Sequence, residues 1–435
     1  MAVEWRRTTA GDIASPARNA LVGGPFGSNL TTRDFVASGV PVIQGRNMGT
    51  RWVSGDFVYV EQEKASSLRA NLARAGDLVF TQRGTLGQVS LISTDGLETY
   101  VVSQSQMKLS VDRDLADPLY VYYYFSTDEQ REYMRQHAIQ TGIPHTNLGI
   151  LRNTPVLLPP LPEQRAIAQI LGTLDDKIEL NRRMNETLES IARALFRSWF
   201  VDFEPVRAKS EGRAAGLPTH LADLFPDSFE NSELGEIPAG WSVRYVHSIA
   251  DVVYGAPFAS TQFNAAGIGS PLIRIRDLVN ESPGVWTTEV LPRAHMVRPG
   301  DIVVGMDGEF RAYVWGGASA WLNQRVCAFV PKGSCSAAFV LNSIVAPLAG
   351  VEATETATTV IHLGKADIDR FRVVVPTDQI LSAFAGASQP LCDRIVAGKQ
   401  ESRSLVTVRE SLLPKLVSGG LRVKDAERIA AGTNA

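Results

Sequence analysis

Asp175-Asp176-Lys177 sets two carboxylates beside an amine, a D-x-K spacing that in nucleases holds a divalent cation. No Pro-Asp pair precedes it at the distance such a centre needs, and it falls where a helix is expected to begin, so it is read as structural. The six histidines (137, 145, 220, 247, 295 and 362) contain no HxxxH or HExxH spacing, so no zinc site or other metal site is expected. Cys327, Cys335 and Cys392 are sparse, odd in number and without a CxxC pair, which disfavours a disulfide framework and fits a reducing compartment. The phosphate-cradling GxxxxGK[ST] and GxGxxG loops are absent, as is the NPP[YF] tetrapeptide of amino-methyltransferases. No serine or cysteine sits in a motif that would activate it. A chain with no self-contained active site is read as a binding or scaffolding protein, with no catalytic residue and no cofactor of its own.

The elements that would position binding residues are written twice. At 435 residues, with 44% apolar and 20% charged residues, the chain is too long for one domain and too apolar to be disordered. Trp5 is echoed by Trp241, Gly24-Pro25-Phe26 by Ala256-Pro257-Phe258, and PVIQGRN from Pro41 by PLIRIRD from Pro271. GDLVFTQRG from Gly76 returns as GDIVVGMDG from Gly300, VSQSQMKLSV from Val102 as LNQRVCAFVP from Leu322, and LDDKI from Leu174 as LCDRI from Leu391. The offset falls in order through 236, 232, 230, 224, 220 and 217, as small loop deletions in the second copy would produce. Within each copy, short β-branched runs alternate with Gly, Asn and Asp turns, predicting a mostly β body with a few helices, including one region at 117–137.

A long helix follows each body. After Thr173-Leu-Asp-Asp176, which fits an N-cap, the register 167, 171, 174, 178, 181, 185, 188, 192, 195, 199 is apolar except at Asn181 and Asn185. These two asparagines either fix register in a seam or face solvent. The second helix carries Leu391, Ile395, Leu405, Leu412 and Leu416, with Gly398, Ser402 and Arg409 as exceptions; Pro390 suits only a first turn, and Gly419-Gly420 stops the helix. Mutual pairing is expected over docking on separate domains. Residues 202–240 hold 3 basic and 8 acidic residues with Pro205, Pro218, Pro226 and Pro238, and read as a solvated acidic linker. That segment supplies −5 of a total charge of −3, so the remainder is slightly basic. The opening MAVEWRRTTAGD lacks an apolar leader and no run approaches the ~18 residues of a membrane span, so a cytoplasmic chain without membrane contact is expected.

GPFGS from Gly24, GDLVFTQRG from Gly76, LLPPLPEQRAIAQIL from Leu157, LDDKIELNRRMNETLESIARALFRSWFVDFEPV from Leu174, SELGEIPAGW from Ser232 and LLPKLVSGGL from Leu412 together resemble the specificity (S) subunit of Type I restriction–modification systems. The second copy departs at VVPTDQ, where the first has PPLPEQ. The resemblance implies an α+β fold: a tandem repeat of two mostly-β target-recognition domains separated by two long antiparallel coiled-coil helices. The corresponding boundaries are recognition domains at 1–160 and 241–376, helical spacers at 161–201 and 377–420, a linker at 202–240 and a tail at 421–435. It further implies double-stranded DNA as a partner, with each domain reading one half of a bipartite, asymmetric target. Two methyltransferase subunits would use S-adenosylmethionine, and restriction subunits, where the system has them, would use ATP and Mg. A helix of about 27 residues would be roughly 40 Å long, close to the ~34 Å of one DNA turn, so the pair could act as a ruler.

Arginine suits guanine and Asn or Gln suits adenine, best from loops where glycine lets the backbone approach. The candidates in the first copy are Arg46, Asn47, Gln82, Arg83, Gln104, Gln106, His145 and Asn147. In the second they are Arg274, Arg276, Arg311, Asn323, Gln324, Arg325 and His362. Phe26 and Phe258 are read as loop anchors. Gln82-Arg83-Gly84 corresponds to Met306-Asp307-Gly308, so the half-sites should differ, with Asp307 expected to accept from a cytosine amino group. An assembly scaffold with two β-rich partner-binding modules and no DNA contact fits the repeat equally well on physics alone.

Overall fold

The computed structural model describes residues 5–140, 144–354, 361–421 and 423. The chain forms two compact units: one takes the chain up to Lys177 and the stretch from Leu405 on, the other spans Ile178–Ser404. In the first, the strands Leu21–Gly23, Gln106–Leu109, Leu78–Thr81 and Val89–Leu91 lie side by side in that order, all antiparallel. A second sheet runs Phe35–Val36, Val58–Val60, Val40–Ile43, Tyr100–Val102, Leu72–Ala73, parallel only where Val40–Ile43 meets Tyr100–Val102. The continuous apolar runs Val40–Ile43 and Leu78–Thr81 are buried along their whole length, as strands covered on both faces must be. Arg6–Thr9 closes the body by pairing with Pro155–Leu158.

The other unit repeats this order strand for strand. Ala250–Tyr254, Val326–Pro331, Ile302–Gly305 and Ala312–Val314 form its four-stranded sheet. Phe263–Asn264, Trp286–Thr287, Ser270–Ile273, Ala320–Leu322 and Met296–Val297 form the five-stranded one, with its parallel step again at the third and fourth strands. Ser242–Tyr245 pairs with Arg372–Val375 as the closing ribbon. The falling series of sequence offsets is therefore one topology built twice.

Two 40-residue helices, α1 (Leu161–Phe200) and α2 (Asp378–Val417), differ from expectation in three ways. First, α1 begins at Leu161, at the spacer bound of 161 and just after Pro159-Pro160, where the amides of Glu163 and Gln164 both donate to the Pro160 carbonyl; the expected cap at Thr173 is not its start. Ile167, Ala168 and Leu171 already have a core to enter, so Thr173 lies mid-helix and its hydroxyl donates back to the Gln169 carbonyl. Second, Pro390 is interior to α2; it and Gly386, whose carbonyl it frees, are exposed, so solvent can satisfy that group. Third, each helix is about 60 Å long, not about 40 Å.

The helices pair antiparallel within each unit. In the first, Ile167, Leu171 and Leu174 share a core with Leu412 and Leu416, and Arg409 Nη1 donates to Asp175 Oδ1 at 2.7 Å. In the second, Asn181 Nδ2 donates to Glu401 Oε2 at 2.9 Å, Gly398 faces Asn185, and Phe196 meets Phe384. Asn181 and Asn185 are buried seam residues, 1% and 9% exposed. A Cβ at Gly398 would lie 2.7 Å from Asn185 Oδ1, so the glycine makes the space that the asparagine occupies.

The segment 202–240 is not a solvated linker. Phe203, Val206, Phe225 and Ile237 are buried with Trp199, Phe200 and Trp241, and Trp199 packs edge-on to Phe225 at 5.1 Å between centroids. Helix Glu204–Ser210 and the hairpin Phe229–Ser232 with Gly235–Pro238 carry it. Its acids point outward while its apolar residues point in, so the charge count described one face only.

Each body is fastened to a helix by the residue at one repeat position, offset 230 as in the PVIQGRN match. Arg51 donates from Nη1 to the Gly172 carbonyl at 3.1 Å and pairs through Nη2 with Asp176. Glu281 accepts from Lys399 Nζ at 2.5 Å, from Arg403 Nη2 at 2.8 Å and from the Gly316 amide at 3.1 Å. The charges are inverted between copies.

Removing one partner of a buried ion pair leaves the others uncompensated, so Glu281→Ala should cost about 3–5 kcal/mol. Denaturant unfolding will show it as a lowered midpoint; an unchanged midpoint refutes the assignment. Gly398→Ala should stabilise by about 1 kcal/mol more in an Asn185→Ala background than in the natural sequence, because helix propensity is then no longer opposed by the clash. Equal effects in the two backgrounds would mean the two residues do not share that space.

Candidate nucleic-acid interface

Apart from Gln106, which opens the strand Gln106–Leu109, the candidate reading residues of each unit lie on segments that leave the sheets, several of them tied together by backbone hydrogen bonds. In the first unit the amides of Gln82 and Arg83 donate to the Ser105 carbonyl, the Thr146 amide donates to the Gln82 carbonyl, and Arg83 bridges to His145. Gly24 donates to the Gln106 carbonyl, and a Cβ on it would sit 1.8 Å from the Ser103 carbonyl oxygen, so only glycine allows this approach. Gln104 Nε2 donates to the Gly27 and Leu30 carbonyls, pinning the GPFGS loop. In the second unit the Met306 amide donates to the Arg325 carbonyl, Leu363 to Met306, and Asp307 bridges to His362. Gly255 donates to the Val326 carbonyl, and a Cβ there would meet the Asn323 carbonyl oxygen at 1.9 Å.

This geometry separates the candidates. Arg46, Arg83 and Arg276 are exposed and make no side-chain ion pair or hydrogen bond among the described residues. Asn47 is 2% exposed; its amide accepts from Gln44 N and donates to the Ser54 and Asp56 carbonyls, so it braces the loop that presents Arg46. Gln106 is buried against Ser103, Asn147 caps the helix Leu148–Asn153 through Ile150 N, and Asn323 is buried with its Oδ1 on Gln324 N. These four amides serve the framework in this structure, not an open surface. Arg274 lays its guanidinium on buried Asp277 at 3.0 and 3.2 Å, and Arg311 pairs with Glu309 at 2.6 Å. Gln82 is half-buried beside Gly23, Gln324 is exposed, and Arg325, exposed, meets Asp307 and His362.

The two phenylalanines also part. Phe258 is 5% exposed and packs near Trp321, the anchor expected, whereas Phe26 is 80% exposed. The backbone bonds equate Gly24 with Gly255, not with Ala256, so the second copy holds one extra residue before its proline. That insertion turns Phe258 inward. The residues Thr85, Gln88, Tyr122, Arg131 and Arg135 line a cleft of ≈ 300 Å³ behind the Arg83 loop, which sequence spacing did not single out. Arg131 and Arg135 recur every four residues with exposed acidic neighbours, a pattern that any solvated helix shows.

Catalytic alternatives are consumed by structure. Asp175 accepts from Tyr123 and Arg409, and Asp176 from Arg51. Burial, with the Asp175 carboxylate adding to it, pushes the Tyr123 phenol well above its ordinary range. Burial likewise pushes the Cys327 thiol up to about 12, which leaves no thiolate for nucleophilic chemistry. Among the described residues no group of three His, Cys, Asp or Glu could hold a metal ion, and no helix is long and apolar enough to cross a membrane.

Residues 40–190 match the family described as the Type I restriction modification DNA specificity domain. The Type I restriction enzyme HindI specificity subunit of Haemophilus influenzae is 23% identical, over 96% of this chain and 99% of its own. The MjaIX specificity subunit of Methanocaldococcus jannaschii is 27% identical over 80% of this chain and 78% of its own. The fold matches the crystal structure of the S subunit of a Type I restriction–modification system from M. genitalium, with a TM-score of 0.56, 16% identity and coverage of 95% and 96%. A body built twice on one topology, each with its converging loops and long helix, and relatives that match along nearly its whole length: the chain is similar in sequence to Type I restriction–modification specificity subunits and shares the fold of one of them.

Proposed function

We propose that this chain is the DNA-reading, non-catalytic subunit of a Type I restriction–modification complex, each unit reading one half of a bipartite, asymmetric target. The observation that carries the reading is the duplicated set of tied loops that presents unpaired arginines, Arg46 and Arg83 in one unit and Arg276 in the other. A guanidinium with no internal partner can give two parallel N–H bonds to guanine O6 and N7 or to a phosphate. The buried amide of Asn47 and the half-buried helix cap Asn147 hold those loops in place beforehand, so less ordering is required on binding. Arg131 and Arg135, in the cleft behind, are suited to phosphate contacts that set orientation without sequence preference.

Methyl transfer and cleavage belong on this reading to partner subunits: two methyltransferase subunits using S-adenosylmethionine, and ATP- and Mg-dependent restriction subunits where the system has them. The duplication supports two methyltransferase positions, one for each unit. The scaffold alternative asks nothing of unpaired arginines, and the DNA specificity family match favours DNA.

Methylome sequencing of a host carrying and lacking the gene should lose one bipartite motif; loss of none rejects the reading. Arg83→Ala should relax one position of one half-site, at about 1–3 kcal/mol of discrimination, with the other half-site intact. Arg46→Ala should weaken DNA binding with the fold's stability unchanged, whereas Asn47→Ala should lower stability by about 1–3 kcal/mol, because it orphans three backbone groups. Thermal melts of the two variants side by side check this, and matching melts would contradict it.

A further inference from the structure

Three repeat positions meet in each unit, and the two copies fill them differently. The backbone bonds equate Arg83 with Asp307, Ser105 with Arg325 and His145 with His362. The junction is therefore Arg, Ser, His in the first unit and Asp, Arg, His in the second. We infer that the arginine has changed sides: the second unit reads its half-site with Arg325, and Asp307 holds that arginine instead of reading a base. The inference rests on the DNA-reading function proposed above.

The geometry within the second junction favours this assignment over the cytosine contact expected of Asp307. Asp307 Oδ1 lies 2.6 Å from His362 Nδ1 and 3.5 Å from Arg325 Nη1. The shorter contact fixes the imidazole tautomer: Nδ1–H donates to the carboxylate. That nitrogen then has no lone pair for Arg325, whose Nη1 sits 3.1 Å away and is held by the carboxylate's charge. The Asp307 side chain is 28% exposed and that of Arg325 is 55% exposed, so the guanidinium is the more accessible partner. Only Nη1 of the fork is engaged, which leaves the remaining N–H donors for a guanine edge.

The backbone adds a second, independent mark. Arg325 has φ +72°, a left-handed conformation that a side chain of this size rarely adopts; Ser105, its equivalent, is not among the positive-φ residues. Around it the Arg325 carbonyl is held by the Met306 amide, and the Val326 amide closes a turn onto the Asn323 carbonyl. A residue held in that conformation directs its side chain where ordinary backbone would not. The first unit closes the same turn, with the Gln106 amide on the Ser103 carbonyl and the Gln82 amide on the Ser105 carbonyl, so the left-handed backbone is particular to the arginine and not to the turn.

The test is methylome sequencing with the complete methyltransferase complex carrying single and double substitutions. Arg325→Ala should relax one position in the second half-site and lower affinity for it about 10- to 100-fold, with the first half-site unchanged. Arg325→Lys should keep affinity within a few-fold while still relaxing that position, since an ammonium lacks the fork; this variant serves if Arg325→Ala fails to fold. Asp307→Asn should weaken selection at the same position without choosing a new base. A motif unchanged by Arg325→Ala or Arg325→Lys overturns the inference, as does a switch to a new base on Asp307→Asn. Absence of any bipartite motif with the natural complex would instead refute DNA reading itself.

Discussion

Leu412, Leu416 and Val417, from the far end of the chain, close the core of the first unit against Ile167, Leu171 and Leu174, and Arg409 can enter beside them only because Asp175 neutralises it. That packing is the condition on which the body depends. A small β body with loops spread over one end has little apolar surface of its own to bury. The helix seam supplies what is missing, and the polar groups within it then decide which helical faces may meet. Asp175 accepts from both Arg409 and Tyr123, so one carboxylate ties α1 to α2 and to the helix Pro118–Ser126. The second unit solves the same problem with aromatic rings: Phe196, Trp199 and Phe200 meet Phe339 and Phe384. Hydrophobic and ionic closure do the same work in the two copies, which is why the repeat is weak in sequence and strong in topology.

The repeat was legible because strand order and glycine approaches constrain residue types at fixed offsets, and those constraints survive when most side chains change. Residues 202–240 were not legible, because composition averages over two faces: eight acids outside conceal Phe203, Val206 and Phe225 inside. The spacer bound at 161 agrees with the start of α1, but the capping assignment at Thr173 fails for a related reason. Thr173-Leu-Asp-Asp176 satisfies the local rule for a cap, yet the preceding turns have a core to enter, and tertiary burial outweighs capping worth about 1 kcal/mol.

Among the candidate site residues, the arginines could be read from sequence more readily than the amides. An unpaired arginine on a glycine-bounded loop has few structural reasons to be there. An Asn or Gln has several, since the donor–acceptor pair that matches adenine also matches a peptide group. Asn47 and Gln104 both bond to main-chain groups in this structure, and Asn147 is a helix cap. The single-residue insertion before Pro257 was likewise invisible to a pattern match on Pro-Phe, although it decides that Phe258 is covered and Phe26 is not.

Inversion of charge at matching positions recurs in this chain. Arg51 and Glu281 fasten their bodies to helices through partners of opposite sign, and Arg83 and Asp307 occupy one loop position with opposite charge. At the fastening points, inversion has a consequence that a like-charged pair would lack. The first body set against the Lys399 and Arg403 surface would oppose its own Arg51, and the second body against Asp176 would oppose Glu281. Like charges in a partly buried contact are costly where opposite charges are favourable, so each body discriminates between the two helices. Two bodies of one topology are thereby each matched to one helix by charge.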